Sequence, residues 1–85
     1  MADFKVGVVT HYYDKIGVAI IDLSADLAVN DKIKFMRGGE NLFEQNIDSI
    51  QIEHEKVDSA SKGQIVGVKT TQEVKDGAEV FKVTA

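Results

Sequence analysis

Short runs of alternating apolar and polar residues dominate this chain. Phe4, Val6 and Val8 alternate with other side chains, the period-two pattern of a strand with one apolar face. Residues 18–23 are apolar on both faces and rich in branched side chains, which favours a strand over a helix. Residues 31–39 alternate again and end in Gly-Gly, a hairpin signal because glycine reaches the positive φ values that tight turns need.

The second half of the chain continues in the same way, with one irregularity. Residues 41–57 have strand composition for longer than one straight strand usually lasts. The apolar positions change parity between Ile47 and Ile50, which predicts a β-bulge or strand break between these two isoleucines. Further strands are predicted at 64–71 and 79–83.

About six strands at this spacing predict an all-β protein, a small closed six-stranded antiparallel β-barrel, with residues 1–85 as a single domain. Only residues 24–30 lack a strand pattern, and they are too few for a stable helix. Ala19, Ile21 and Leu23 point opposite to Val18 and Ile20, yet a small barrel has only one interior. We expect Ala19, Ile21 and Leu23 to form an outer face, either covered by the 24–30 loop or exposed to a partner.

The composition and charge of the chain exclude several kinds of function. The chain has 85 residues, a net charge of −4 and no cysteine, which excludes a disulfide framework and thiolate metal sites. Arg37 is the only arginine, and an acidic chain is a poor match for duplex DNA. No apolar run approaches the ~20 residues of a membrane span, so we expect no membrane association and a cytoplasmic location.

Catalytic, metal and nucleotide motifs are weak. The segment 63–70 has the wrong glycine spacing for a phosphate-binding loop and is filled with β-branched residues. His11 and His54 are the only histidines, and neither has enough neighbouring ligands for a metal site. No nucleophile, base and orienting group can be placed together. The sequence therefore predicts a protein that is not an enzyme and needs no cofactor.

One cluster combines aromatic, cationic and hydrogen-bonding groups, as recognition surfaces do. It consists of His11, Tyr12, Tyr13 and Lys15 at the first turn, with Arg37 as a possible second contact from the Gly-Gly hairpin. We predict a binding site here. The alternative is that Tyr12 caps the core while Tyr13 shields the turn.

Several segments together resemble domain 2 of translation elongation factor Tu, a six-stranded antiparallel barrel. The segments are 5–9, 18–23, 27–33, 47–51, 60–68 and 76–81. Asn30 stands where that family usually has glycine, and Ala78 where it has aspartate. The pattern is similar also to the barrel appended to the C-terminus of U32-family peptidases.

The resemblance implies a barrel used for docking, without GTP hydrolysis, since no GTPase domain fits in 85 residues. We expect a non-catalytic module whose partner is a protein or RNA linked to translation, such as a tRNA end or the ribosome. The alternative is an accessory protein–protein module, for example of a peptidase, with no RNA role.

Overall fold

The described part of the chain is built from strands and turns. A computed structural model describes residues 2–53 and 55–84, apart from the side chains of residues 2, 3 and 84. The strands are β1 (Ala2–Tyr13), β2 (Val18–Leu23), β3 (Leu27–Ala28), β4 (Lys32–Arg37), β5 (Glu40–Asn46), β6 (Ile50–Ile52), β7 (Glu55–Val57), β8 (Ser59–Ala60), β9 (Ile65–Lys69) and β10 (Glu79–Thr84). No helix occurs among these residues, so none of them offers a membrane-spanning helix. The all-β prediction is confirmed.

The main sheet is antiparallel and has eight strands, in the order β5-β4-β10-β1-β2-β9-β6-β7. The short strands β3 and β8 form a second antiparallel sheet. This ladder differs from the predicted closed six-stranded barrel, because within the described residues it ends at β5 on one side and at β7 on the other. Residues 41–57 account for the difference, since they divide into separate strands and the last of these turns back along β6.

The predicted irregularity near residues 48–49 is confirmed. β5 ends at Asn46 and β6 begins at Ile50. Between them, the Ile47 N–H donates to the Asp31 carbonyl, and the Ile47 carbonyl accepts from the Asn30 N–H, both at 2.9 Å. Ile47 and Ile50 are both completely buried, so the break keeps both side chains in the core despite their opposite parity.

The side chain of Gln45 connects β5 to the end of β9. It is only 8% exposed. Its Nε2 donates to the carbonyl of Lys69 at 2.9 Å, and its Oε1 accepts from the N–H of Thr71 at 2.8 Å. The amide therefore pairs with residues 69–71 in the way that a neighbouring strand would.

The core lies on the concave side of the main sheet and is aliphatic apart from one aromatic ring. Phe35 is completely buried, and its ring centroid lies 4.9 Å from that of Phe43. The other completely or almost completely buried large side chains are Val6, Val9, Ile21, Leu27, Ile33, Ile47, Ile50, Val66, Val68, Val74 and Val80. Such packing excludes water and supplies most of the free energy of folding.

The first strand does not keep the predicted single apolar face. Val6 and Val9 are both buried, whereas Phe4 is 44% exposed. The register of β1 shifts against β10 between Lys5 and Gly7, and it shifts again against β2 further along. Each bulge moves the following side chains to the opposite face, and this explains why the simple alternation fails.

The predicted orientation of β2 was wrong. Ala19, Ile21 and Leu23 are at most 2% exposed and point into the core. Val18 and Ile20, which we expected to be internal, are only partly buried and face outward. The loop that follows β2 covers the core in a different place: Leu27 is 1% exposed there.

A polar cluster fixes this loop. The Asp31 carboxylate accepts from the Ala28 N–H at 2.9 Å and lies 3.1 Å from the Lys82 ammonium group. Asn30 has φ +78°, in the left-handed region that asparagine tolerates better than most residues. These contacts hold the loop between Lys82 of β10 and Ile47, which follows β5.

Candidate functional site

The first turn joins β1 to β2 and projects from the sheet. The Tyr13 carbonyl accepts hydrogen bonds from the N–H groups of Ile16 at 3.3 Å and Gly17 at 2.8 Å. Gly17 has φ +67°, which closes the turn without the strain that a side chain would cause. The turn leaves Ile16 62% exposed and Tyr13 48% exposed.

A polar depression, the first-turn cavity, lies on one side of this turn. It measures about 520 Å³ and is lined by His11, Tyr12, Tyr13, Asp14, Arg37, Glu73, Val74, Lys75 and Asp76. Four of the five residues predicted as a binding site thus meet around one cavity. Lys15, the fifth, is exposed and does not line it.

Asp76 organises the cavity and was missed by sequence reasoning. Its Oδ1 accepts from the backbone N–H of Tyr12 at 3.0 Å, and its Oδ2 lies 3.9 Å from Nδ1 of His11. The His11 ring meets Tyr13 edge-on, with centroids 4.4 Å apart and planes at 70°. The pairing of β1 with β10 brings Asp76 here, and no pattern among neighbouring residues in the sequence indicates that pairing.

The two tyrosines play different parts. Tyr12 is half-buried and packs against the hydrophobic core. Tyr13 remains accessible on the outer face of the strand. Neighbouring strand residues point to opposite faces, so only Tyr13 can offer most of its ring to a partner.

A second depression, the apolar groove, begins on the other side of Tyr13. It measures about 620 Å³, and its apolar side chains are Tyr13, Ile16, Val18, Ile20, Ile52 and Ile65. Gly67 forms its floor, where a Cβ would lie 3.2 Å from Cγ1 of Val18. Ile65 of β9 is 58% exposed at this surface.

No metal-binding cluster occurs among the described residues. Among residues 2–53 and 55–84, no three acidic, histidine or cysteine side chains come close enough to share a metal ion. His54 lies outside the described residues. The residues that line the two surfaces offer hydrogen bonding, ion pairing and apolar contact.

Comparison with known proteins points to peptidases. No family model matches the chain. A stretch of 77 residues, 91% of the chain, is 36% identical to an uncharacterised protease of Methanocaldococcus jannaschii, and the chain spans only 19% of that protease.

Two solved structures also show a similarity to a peptidase. The C-terminal domain of a Geobacillus thermoleovorans U32 peptidase superposes with a TM-score of 0.86 at 26% identity, covering 96% of this chain and 93% of that domain. Its selenomethionine variant gives a TM-score of 0.82 at 25% identity, covering 89% and 95%. The chain is thus similar to the domain appended to U32 peptidases, as one part of the sequence resemblance implied. None of these three relatives is a translation factor, and the elongation factor part gains no support from them.

Proposed function

We propose that this chain is a non-catalytic accessory domain of the U32 peptidase type and that it binds the catalytic body of such a protein. One observation carries the proposal: the chain corresponds to almost all of a peptidase's C-terminal domain but to only 19% of a whole protease. The remainder of such a protease has ample room for the catalytic groups. Domains of one chain contact each other through interfaces that resemble transient protein–protein interfaces, and this is the kind of contact that we propose here.

The charges at the first-turn cavity favour a protein partner over RNA. Its lining carries the carboxylates of Asp14, Glu73 and Asp76 against the cations of Arg37 and Lys75. An RNA-binding surface neutralises phosphates with several clustered cations. This balance instead suits a protein surface with mixed polar groups.

A binding experiment with the M. jannaschii protease tests the proposed function. The protease is produced without the segment that matches this chain, and the two proteins are titrated by calorimetry. We expect saturable 1:1 binding with a dissociation constant on the order of micromolar, as for interdomain contacts of moderate area.

The intact protease is the matched control. Its own domain already occupies the docking surface, so we expect it not to bind the added chain. Equal binding to both forms, or no binding to the shortened form at 100-fold higher concentration (roughly 100 μM), would rule out the proposed function.

The first-turn cavity gives a second prediction. Replacing Tyr13 and Lys15 together by alanine should weaken binding to the shortened protease by about 10-fold or more, because an accessible aromatic ring is a common anchor at interfaces. The free energy of unfolding should change by about 1 kcal/mol or less, since both side chains are exposed.

Phe4→Ala with Lys5→Ala is the control for that double variant. It removes an aromatic ring of similar exposure and a lysine from the opposite end of β1. Calorimetry and urea unfolding of both double variants give the comparison. If the two variants bind equally well, the site does not lie at the first turn.

We further infer that the main sheet closes into a six-stranded barrel. In this barrel β5 and β6 form one bent strand, and the other five strands are β1, β2, β4, β9 and β10. The support is that β5 pairs with β4, β6 pairs with β9, and only residues 47–49 separate them. The Gln45 amide bridges the remaining gap to residues 69–71. This closure would hold both depressions in fixed positions.

A further inference from the structure

The apolar groove is an unusual surface for so small a domain. Ile16 and Ile65 are each more than half exposed, and they lie beside the accessible ring of Tyr13. Small soluble domains seldom leave large aliphatic side chains together in water, and such clusters mark interaction sites.

The groove is built into the fold. Its floor is Gly67 of β9, and the partly buried side chains of Val18 and Ile20 flank it from β2. A Cβ added at position 67 would lie 3.2 Å from Val18 and 3.6 Å from Ile20, so any larger residue there would take up space in the groove. The groove is therefore a concave, mostly apolar surface on two paired strands, and such surfaces bury the apolar anchors of a partner.

We propose that this groove receives an apolar side chain projecting from the catalytic body of a U32-type peptidase, and that the first-turn cavity forms the polar rim of the same interface. The inference rests on the proposed function. It identifies the surface that makes the contact and the chemistry of the group that fills it. Tyr13 lines both depressions and joins them into one continuous surface.

The length of a relative supports this occupant. All but 19% of the M. jannaschii protease lies outside the matching segment, so a domain of this kind has a large protein body beside it. Interfaces concentrate apolar contacts at the centre and polar contacts at the rim, which is the arrangement around Tyr13. Among the described residues that line the groove only Glu53 is charged, so an apolar group enters without burying an ion pair of these residues.

A second copy of the chain fits the groove poorly. A two-fold dimer with its axis at the groove would bring one concave surface against the same concave surface, which are poorly complementary in shape. It would also bring the Glu53 carboxylates towards each other in a chain of net charge −4. A convex apolar group on a different surface meets neither problem.

Two variants of the groove test the inference against the shortened protease. Ile65→Glu places a charge at the rim of the groove, and Gly67→Ala adds a methyl group at its floor. We expect each to weaken binding by about 10-fold or more, as for a change at an interface anchor. Their melting temperatures should stay within about 5 °C of wild type.

Leu42→Glu is the matched control, because Leu42 is an exposed aliphatic residue on β5 that lies outside the groove. It should bind like wild type. If wild type binds and both groove variants bind equally well, the groove inference is wrong while the proposed function stands. If wild type does not bind at all, both fail together. Sedimentation showing a wild-type dimer that Ile65→Glu dissociates would assign the groove to a second copy and overturn the inference.

Discussion

Replacing Gly7 by alanine should lower the free energy of unfolding by about 3 kcal/mol, at the upper end of what overpacking costs in a core. A Cβ at this position would lie 2.7 Å from Cγ2 of Ile21 and 2.8 Å from the carbonyl oxygen of Asp22. Gly7 pairs with both β2 and β10, so its backbone cannot retreat without disturbing two ladders. Urea unfolding followed by circular dichroism measures the change.

Gly67→Ala serves as the control for steric crowding. Its Cβ would meet the side chain of Val18 at 3.2 Å, and this side chain is partly exposed and can adjust. The cost there should be about 1 kcal/mol or less. A Gly7→Ala protein as stable as wild type would show that β1 and β2 do not approach as closely as described.

The second large effect is expected at Gln45. Gln45→Leu keeps a similar volume but leaves the Lys69 carbonyl and the Thr71 N–H without their partner. Lys69 and Thr71 are exposed residues, so water can replace part of each contact, and a hydrogen bond of this kind contributes about 0.5–1.5 kcal/mol. The free energy of unfolding should therefore fall by about 1–3 kcal/mol. Amide hydrogen exchange at Thr71 should accelerate as well, because its N–H loses its acceptor.

Thr71→Val is the control, since it removes only the longer hydroxyl contact of 3.4 Å to the same amide. It should cost about 0.5 kcal/mol or less. If Gln45→Leu unfolds at the same urea concentration as wild type, the bridge between β5 and β9 contributes nothing to stability. The proposed closure of the barrel would then rest only on the pairing of β5 with β4 and of β6 with β9.

Local patterns in the sequence predicted the elements whose structure depends on local residues. Gly38 and Gly39 both have positive φ, +61° and +82°, as the hairpin prediction required. The parity change between Ile47 and Ile50 corresponds to a real break in the strand. In both cases the determining residues are neighbours in the chain.

The sequence could not determine which face of β2 is internal. Its residues are apolar on both sides, so periodicity alone does not distinguish the core from the groove. The internal face of β1 was ambiguous as well, because Val8 and Val9 are equally suitable for burial and the sequence does not show where the bulges lie. Three-dimensional pairing resolves both ambiguities.

The candidate site was predictable to a similar extent. His11, Tyr12 and Tyr13 are consecutive, so their cluster could be found in the sequence. Their contact with Asp76 depends on the pairing of the first strand with the last. The groove also escaped prediction, because it requires β2, β6 and β9 to be adjacent in the folded sheet.

The position of β10 determines when the domain can fold during synthesis. This strand is the last to be made, yet it lies inside the sheet between β4 and β1. Without it the main sheet separates into a β5-β4 pair and a β1-β2-β9-β6-β7 group, each with a newly exposed edge. A nascent chain therefore cannot build the fold step by step from its N-terminal end, and removing β10 would leave two unpaired edges prone to aggregation.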